Sequence, residues 1–395
     1  MKSILLLAIL FIGASFCNLH DEWRTYQENT EDQTSYRPEI REEGAFFFRT
    51  NGDLVSVYGL QEAIRLVHQN VFFVDVSTHN FATNKWTRIH YGNGTAPSAR
   101  AFFCWGYDAI NDVFYLNGGT NYLSATVPTF AFYNDTWKFE FSTNTWTQLT
   151  LTNFPSSRAS STCGTVGQSL FLFSGAIVNQ FFVRTNFEDF WHFNMSSETW
   201  SLISTNVNAT GGPIGRAQGR MTTLISTTDI WFSGGSRYNG AAAPTPLDDV
   251  WLLHADNFTW EQLDNEGTPF PVREFPGVVA TSDKFVFMIA GDAQGNKTVA
   301  DTCAAFTPPG CFVPATPTNN MFIYNVNRQK WTEFEFDEEQ GNISPLRRPN
   351  VAFHENQETI YLYGGFNWVG NVPIGVIRNP EMKYFLPRNK YTRLD

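Results

Sequence analysis

One pattern returns six times along the 395 residues and leaves few folds open. Five of the six units start with Pro-x-x-Arg, the fifth with Pro271-Val272-Arg273, and an alternating strand comes next. An aliphatic run ending in Gly, a variable loop, a further strand and a closing aromatic follow. The glycine-ended runs are LVSVYGL (54–60), VFYLNGG (113–119), LFLFSGA (170–176), DIWFSGG (229–235), VFMIAGD (286–292) and IYLYGGF (360–366). The arginines ahead of them are Arg41, Arg100, Arg158, Arg216, Arg273 and Arg348. The closing aromatics are Trp86, Trp146, Trp200, Trp260, Trp331 and Tyr391. Nine positions before five of these stand Trp137, Trp191, Trp251, Phe322 and Met382.

Each unit holds four short runs of β-branched and aromatic residues between turn residues, which reads as a four-stranded antiparallel sheet. Such a sheet cannot bury both faces alone, whereas radial packing of several does so and leaves only short edges. Paired glycines let backbones approach where a Cβ would clash. The aromatics nine apart then fall on third and fourth strands and fill the wedge between sheets. Gly-Gly at 118–119, 234–235 and 364–365, each followed by a loop and two spaced aromatics, resembles the kelch repeat. The resemblance covers residues 41–395 and implies an all-β, six-bladed propeller of four-stranded blades, in the galactose oxidase central-domain-like superfamily. Leu60, Ala176 and Asp292 depart from it in place of the second glycine.

Residues 1–17, MKSILLLAILFIGASFC, read as a secretory signal peptide: one Lys, a short apolar run, then small residues. The run is too short for a membrane span of about 20 residues. Residues 18–40 form an N-terminal segment whose Trp23 resembles an outer-strand Trp. It is read either as an edge strand that ties the last blade and closes the ring, or as a polar leader. Seven sequons fit an exported glycoprotein: Asn93, Asn134, Asn194, Asn208, Asn257, Asn296 and Asn342. Beyond the leader four cysteines remain. A local Cys303–Cys311 bridge in the Pro-rich loop is expected, which pairs Cys104 with Cys163 by elimination. Buried free thiols are the alternative for those two.

Aromatic and charged residues each make up 16% of the chain, where about 25% charged is ordinary. That excludes a disordered chain. A net charge of −11 with no basic run excludes nucleic acid and an anionic membrane surface as partners. The residues give little support to catalysis, so the enzyme question stays open, with no enzyme the favoured answer. Relatives of the kelch fold such as galactose oxidase use a Cys–Tyr pair and clustered His; plant specifier proteins bind iron through spaced Glu, Asp and His. EDFWH (188–192) has the wrong spacing for the latter, and no metal or cofactor is expected.

The loops after the glycines and the Pro-x-x-Arg segments share one face. Exposed aromatics beside arginines suit recognition, so Tyr122, Phe182, Arg184, Arg237, Tyr238 and Trp368 are candidate ligand-binding residues. Arg100, Arg158 and Arg216 are weighed two ways: as readers of an acidic group, or as ties to Asp135, Asp189 and Asp249, which recur with the same period. The combined expectation is a secreted module that binds an extracellular protein or glycan on its long-loop face. A secreted enzyme with its site at the channel mouth, or a structural component of a surface assembly, are the alternatives.

Overall fold

A computed structural model describes residues 24–25, 36–61, 71–122, 130–179, 183–240, 244–267, 272–282, 284–293, 316–334, 343, 345–369, 375–378 and 383–385. The chain is an all-β propeller with five four-stranded antiparallel blades. The first runs Ala45–Phe48, Leu54–Val57, Val76–Asn80, Lys85–His90; the second Cys104–Asp108, Val113–Asn117, Thr136–Glu140, Thr145–Gln148. The third runs Thr162–Val166, Ser169–Phe173, Phe190–Asn194, Thr199–Ser204; the fourth Arg220–Thr223, Asp229–Ser233, Val250–His254, Thr259–Leu263. The closing blade is Asn350–His354, Thr359–Tyr363 and Lys383–Phe385, with Arg24–Thr25 outermost. Between the fourth and the closing blade lies a five-stranded sheet. The expectation of six like blades is corrected there: Glu266–Gly267 adds a fifth strand to it, parallel to Lys330–Phe334.

Burial follows from sheets packed on both faces. Every residue of Val113–Asn117, Phe285–Ile289 and Thr359–Tyr363 is buried. The closing aromatics pack onto the sheet before their own: Trp146 on Tyr58 (centroids 5.6 Å), Trp260 on Phe173 (5.4 Å), Trp331 on Trp231 (5.8 Å). Trp86 of the first blade meets Tyr363 of the closing blade at 6.0 Å, so the same contact joins chain start to chain end. Burying each such ring stabilises by about 1.5–3 kcal/mol. Gly119 and Gly235 sit at φ +94° and +82°; a Cβ would meet the carbonyl oxygens of Ala101 at 2.8 Å and Ala217 at 2.5 Å.

Two covalent-chain features fasten the ring. Arg24 and Thr25 pair antiparallel with Tyr384 and Lys383. Trp23, Met382 and Tyr391 lie outside the described residues. Cys104 and Cys163 form a disulfide between the innermost strands of the second and third blades, Cα atoms 5.7 Å apart. Cys303 and Cys311 lie outside the described residues.

Short strands pair within the long connections: Leu60–Gln61 with Val71–Phe72, Thr120–Tyr122 with Phe130–Phe132, Ala176–Val178 with Arg184–Asn186, Ser236–Arg237 with Thr245–Pro246, and Phe366–Val369 with Gly375–Arg378. Arg273–Glu274, Asp292–Ala293 and Thr316–Pro317 make a three-stranded counterpart. Apart from Arg273–Glu274, which precedes a first strand, all of these join second to third strands, so they crown one face.

Candidate functional site

The arginine before each blade is the anchor of this crown. Arg100 is fully buried. Its Nε donates to the Ser98 carbonyl (2.9 Å) and one terminal nitrogen to that of Gly118 (3.1 Å). Both terminal nitrogens grip the Asp135 carboxylate, which also accepts the Trp137 indole N–H at 2.7 Å. The guanidinium lies 3.9 Å from the centre of the Tyr133 ring. The same set recurs as Arg158, Asp189, Trp191 over Phe187, and as Arg216, Asp249, Trp251. In the first blade Ser77 stands where these three have Trp, and its hydroxyl donates to Asp75, the partner of Arg41.

Of the two roles weighed for Arg100, Arg158 and Arg216, the ties to Asp135, Asp189 and Asp249 are the ones present in the structure. Their donors are committed to aspartates and loop carbonyls inside the fold, and a buried bidentate pair released to a ligand would leave a carboxylate without its counter-ion. Glu188, in the EDFWH string, instead accepts from Arg237 at 2.7 Å, while His192 stacks on Phe171 at 5.1 Å. Among the described residues no group of His, Cys, Asp and Glu is arranged to hold a metal ion.

Two residues beyond each anchor the backbone turns left-handed, at Glu43, Phe102, Ser160, Gln218 and Phe275, with φ between 53° and 67°. A non-glycine residue there is strained by about 1–2 kcal/mol. Hydrogen bonds from blade to blade hold it: Phe102 N–H to Glu43 O, Ser160 N–H to Phe102 O, Gln218 N–H to Ser160 O. Arg348 belongs to this inner ring, with φ 53° and its N–H on Phe275 O. The repeat register is thus corrected: Leu346 holds the anchor position. Gly291 N–H bonds to Leu346 O just as Gly119, Gly175 and Gly235 bond to Arg158, Arg216 and Arg273.

The displaced Arg348 helps to close the channel. Its guanidinium lies 4.2 Å from the Phe275 ring centre and 5.1 Å from that of Phe102, and it meets Glu42 at 3.3 Å. Phe102 and Phe275, from sheets three apart in chain order, meet across the axis at 6.3 Å. Arg220 of the fourth blade reaches Glu43 of the first at 2.8 Å. Above this floor stand Glu274, which accepts from the Ser236 hydroxyl, and Arg347, 5.4 Å from the Phe275 ring centre. Tyr238 completes the mouth, its hydroxyl 2.5 Å from Gln218 Nε2. Burial, with Glu274 close by, pushes its phenol up to about 12 against the opposing pull of Arg184, Arg348 and Arg347.

Of the expected face residues, three are brought together. Arg184 lies 4.8 Å from the Tyr238 ring centre. Its backbone N–H bonds to Gly240 O (3.1 Å), and Asn186 Nδ2 bonds to Tyr238 O (2.9 Å). Arg237, on the same hairpin as Tyr238, crosses to Glu188. The side chains of Tyr122 and Trp368, and all of Phe182, lie outside the described residues. Glu42, Glu43, Phe102, Arg220, Glu274, Phe275 and Arg347 went unread in the sequence. Glu43, Phe102 and Phe275 share a position two beyond their anchors, but the identities of the seven share no pattern.

Residues 107–365 match the KLHDC2/KLHL20/DRC7 Kelch-repeats domain. The chain belongs to the kelch-repeat family. This kelch protein is similar to N-(sulfonatooxy)prop-2-enimidothioate sulfolyase of Thlaspi arvense, 26% identical over 283 residues, spanning 71% of this chain and 74% of that one. It is also similar to Multiple epidermal growth factor-like domains protein 8 of Rattus norvegicus, 24% identical over 279 residues. There the match spans 65% of this chain and 9% of the relative. Human Kelch domain-containing protein 1 is 24% identical over 210 residues, 49% of this chain and 48% of that one. The kelch chain therefore spans well under two thirds of the latter two relatives. Among the described residues no helix is long and apolar enough to cross a membrane.

Proposed function

We propose that this kelch chain is a secreted, N-glycosylated binding module that meets a protein partner, or a glycan, on its crown of hairpins. In this reading the ring counts six members, the five-stranded sheet being one of them. One observation carries it: the hairpins of the third and fourth blades are locked together by Arg184, Asn186, Tyr238 and Gly240. Two blades thus present one pre-ordered surface of arginine and aromatic character, and pre-ordering reduces the entropy cost of association. Membership of the kelch family supports a protein partner. The leader at 1–17 and the sequons support export.

The test compares immobilised wild-type protein with R184A/Y238A and with I110A, a control at an exposed turn on the opposite face. Partners from extracellular fluid should be retained by wild type and I110A and lost from the double variant. Equal retention by all three overturns the crown as the binding face. Protein recovered from culture medium should begin near residue 18 and lose mass on deglycosylation. An enzyme acting at the mouth is the second reading, favoured by Glu42, Glu274 and Arg348 gathering over a closed floor.

A further inference from the structure

Tyr91 is 64% exposed, high for a large apolar side chain, yet it is anchored. The Arg88 guanidinium lies 5.4 Å from the centre of its ring and 4.3 Å from that of Tyr36. Tyr36 donates its hydroxyl to Asp75 at 2.7 Å, the carboxylate that Arg41 holds at 2.8 Å. An exposed ring is thus steadied by a buried ion pair through two intermediates.

Asn93 follows two residues later, in a bend. The chain turns at Gly92, Gly94 and Thr95, and both glycines are left-handed, at φ +73° and +70°. Gly92 N–H donates to His90 Nδ1 at 2.9 Å. A Cβ on Gly92 would meet Val74 Cγ2 at 2.3 Å, so the bend is seated against the blade, while Gly94 has open space around it. Asn93, Gly94 and Thr95 are all exposed. The segment Tyr91-Gly92-Asn93-Gly94-Thr95 sets an aromatic two positions before a sequon Asn and its hydroxyl two positions after. A sugar on Asn93 would then have the Tyr91 ring within reach. The C–H face of a pyranose is apolar and slightly positive, and the π face of tyrosine is negative, so stacking is favourable.

The other described sequons lack this arrangement. Phe132 precedes Asn134 by two, but it packs with Leu60, Ala101 and Phe102, and Thr136 is buried. His192, before Asn194, stacks on Phe171. Asn206 and Ala255 precede Asn208 and Asn257.

We propose that Asn93 carries a structural N-glycan whose first N-acetylglucosamine packs on Tyr91; this rests on the reading of the chain as a secreted glycoprotein. The donor is a lipid diphosphate-linked oligosaccharide. The Asn93 amide nitrogen bonds to the anomeric carbon as the carbon–oxygen bond to the diphosphate breaks, and the amide proton leaves with the diphosphate.

The test uses full-length protein from a eukaryotic secretory host, its glycans trimmed enzymatically to the first sugar, with occupancy read by mass spectrometry. N93Q and Y91A should each lower Tm by about 2–4 °C. The double variant should fall no further than either, and N208Q, at an exposed sequon, should be unchanged. Additive losses, or an occupied Asn93 whose N93Q variant keeps wild-type Tm, overturn the proposal. So does an empty Asn93 in protein glycosylated elsewhere. Protein carrying no sugar at any sequon removes the glycoprotein reading as well, and mass spectrometry tells that outcome from the others.

Discussion

Arg100 and Asp135 meet through both terminal guanidinium nitrogens, and the indole N–H of Trp137 lands on the same carboxylate. The pair fixes the entry of the second blade to the start of its third strand. Removing one partner of such a pair strands the other. Arg100→Met is expected to destabilise by about 3 kcal/mol. Trp137→Phe, which deletes one hydrogen bond to a charged group, should cost about 1.5 kcal/mol. Denaturant unfolding at neutral pH measures both, and a loss of Arg100 smaller than that of the indole would contradict this role.

The five-stranded sheet lacks this arrangement. Asn320 stands where the first four blades have Asp, and it donates to Glu333. Arg273, left with the carbonyls of Ala290 and Asn320, is pushed down to about 10 by burial. N320D/E333Q supplies the missing carboxylate and retains a donor beside it. A rise in Tm of about 2–4 °C is expected. N320D alone should gain less, because Glu333 then faces a second negative charge.

Acid should loosen the first blade. His79 is buried against Phe81 (4.6 Å) and Trp86 (5.2 Å), and burial pushes it down to about 4. An unfolded His titrates near 6.5. Between about 6.5 and 4 the unfolded chain binds the extra proton, so stability is full above that window and falls as pH drops through it. The loss should approach about 3 kcal/mol. Burial alone would raise Asp75, but Arg41 outweighs it and the carboxyl is lowered, so its contribution disappears at still lower pH. Unfolding measured from pH 7 to 4 should show a shallower slope for His79→Phe than for wild type.

Reduction should weaken the seam between the second and third blades. Cys104 and Cys163 close a loop of 59 residues, for which chain-entropy arguments give about 4 kcal/mol. C104S/C163S should lower the denaturant midpoint accordingly, and a reducing agent should have no further effect on that variant.

The repeat made most of this architecture legible. Arginine, glycine and paired aromatics mark anchor, close approach and wedge, and each is a local need repeated in every unit. Arg348 was misread because Pro345-Leu346-Arg347-Arg348 satisfies the motif two residues late; only hydrogen bonds to Gly291 reveal that Leu346 holds the anchor. The parallel strand Glu266–Gly267 has no period to betray it. The hairpins went unread because their pairing depends on support from the blade beneath. Arg220 and Glu43 lie 177 residues apart, and no local pattern records such a pair.

The contacts across the axis change what kind of repeat protein this is. In an open array each unit touches only its neighbours, and the ends can fray while the middle holds. Here Phe102 with Phe275, and Arg220 with Glu43, link units on opposite sides of the circle. The first, second, fourth and fifth units therefore cannot detach without disturbing one that is not their neighbour in the chain. The molecule behaves as a wheel with spokes, and its loss of structure is expected to be a single event.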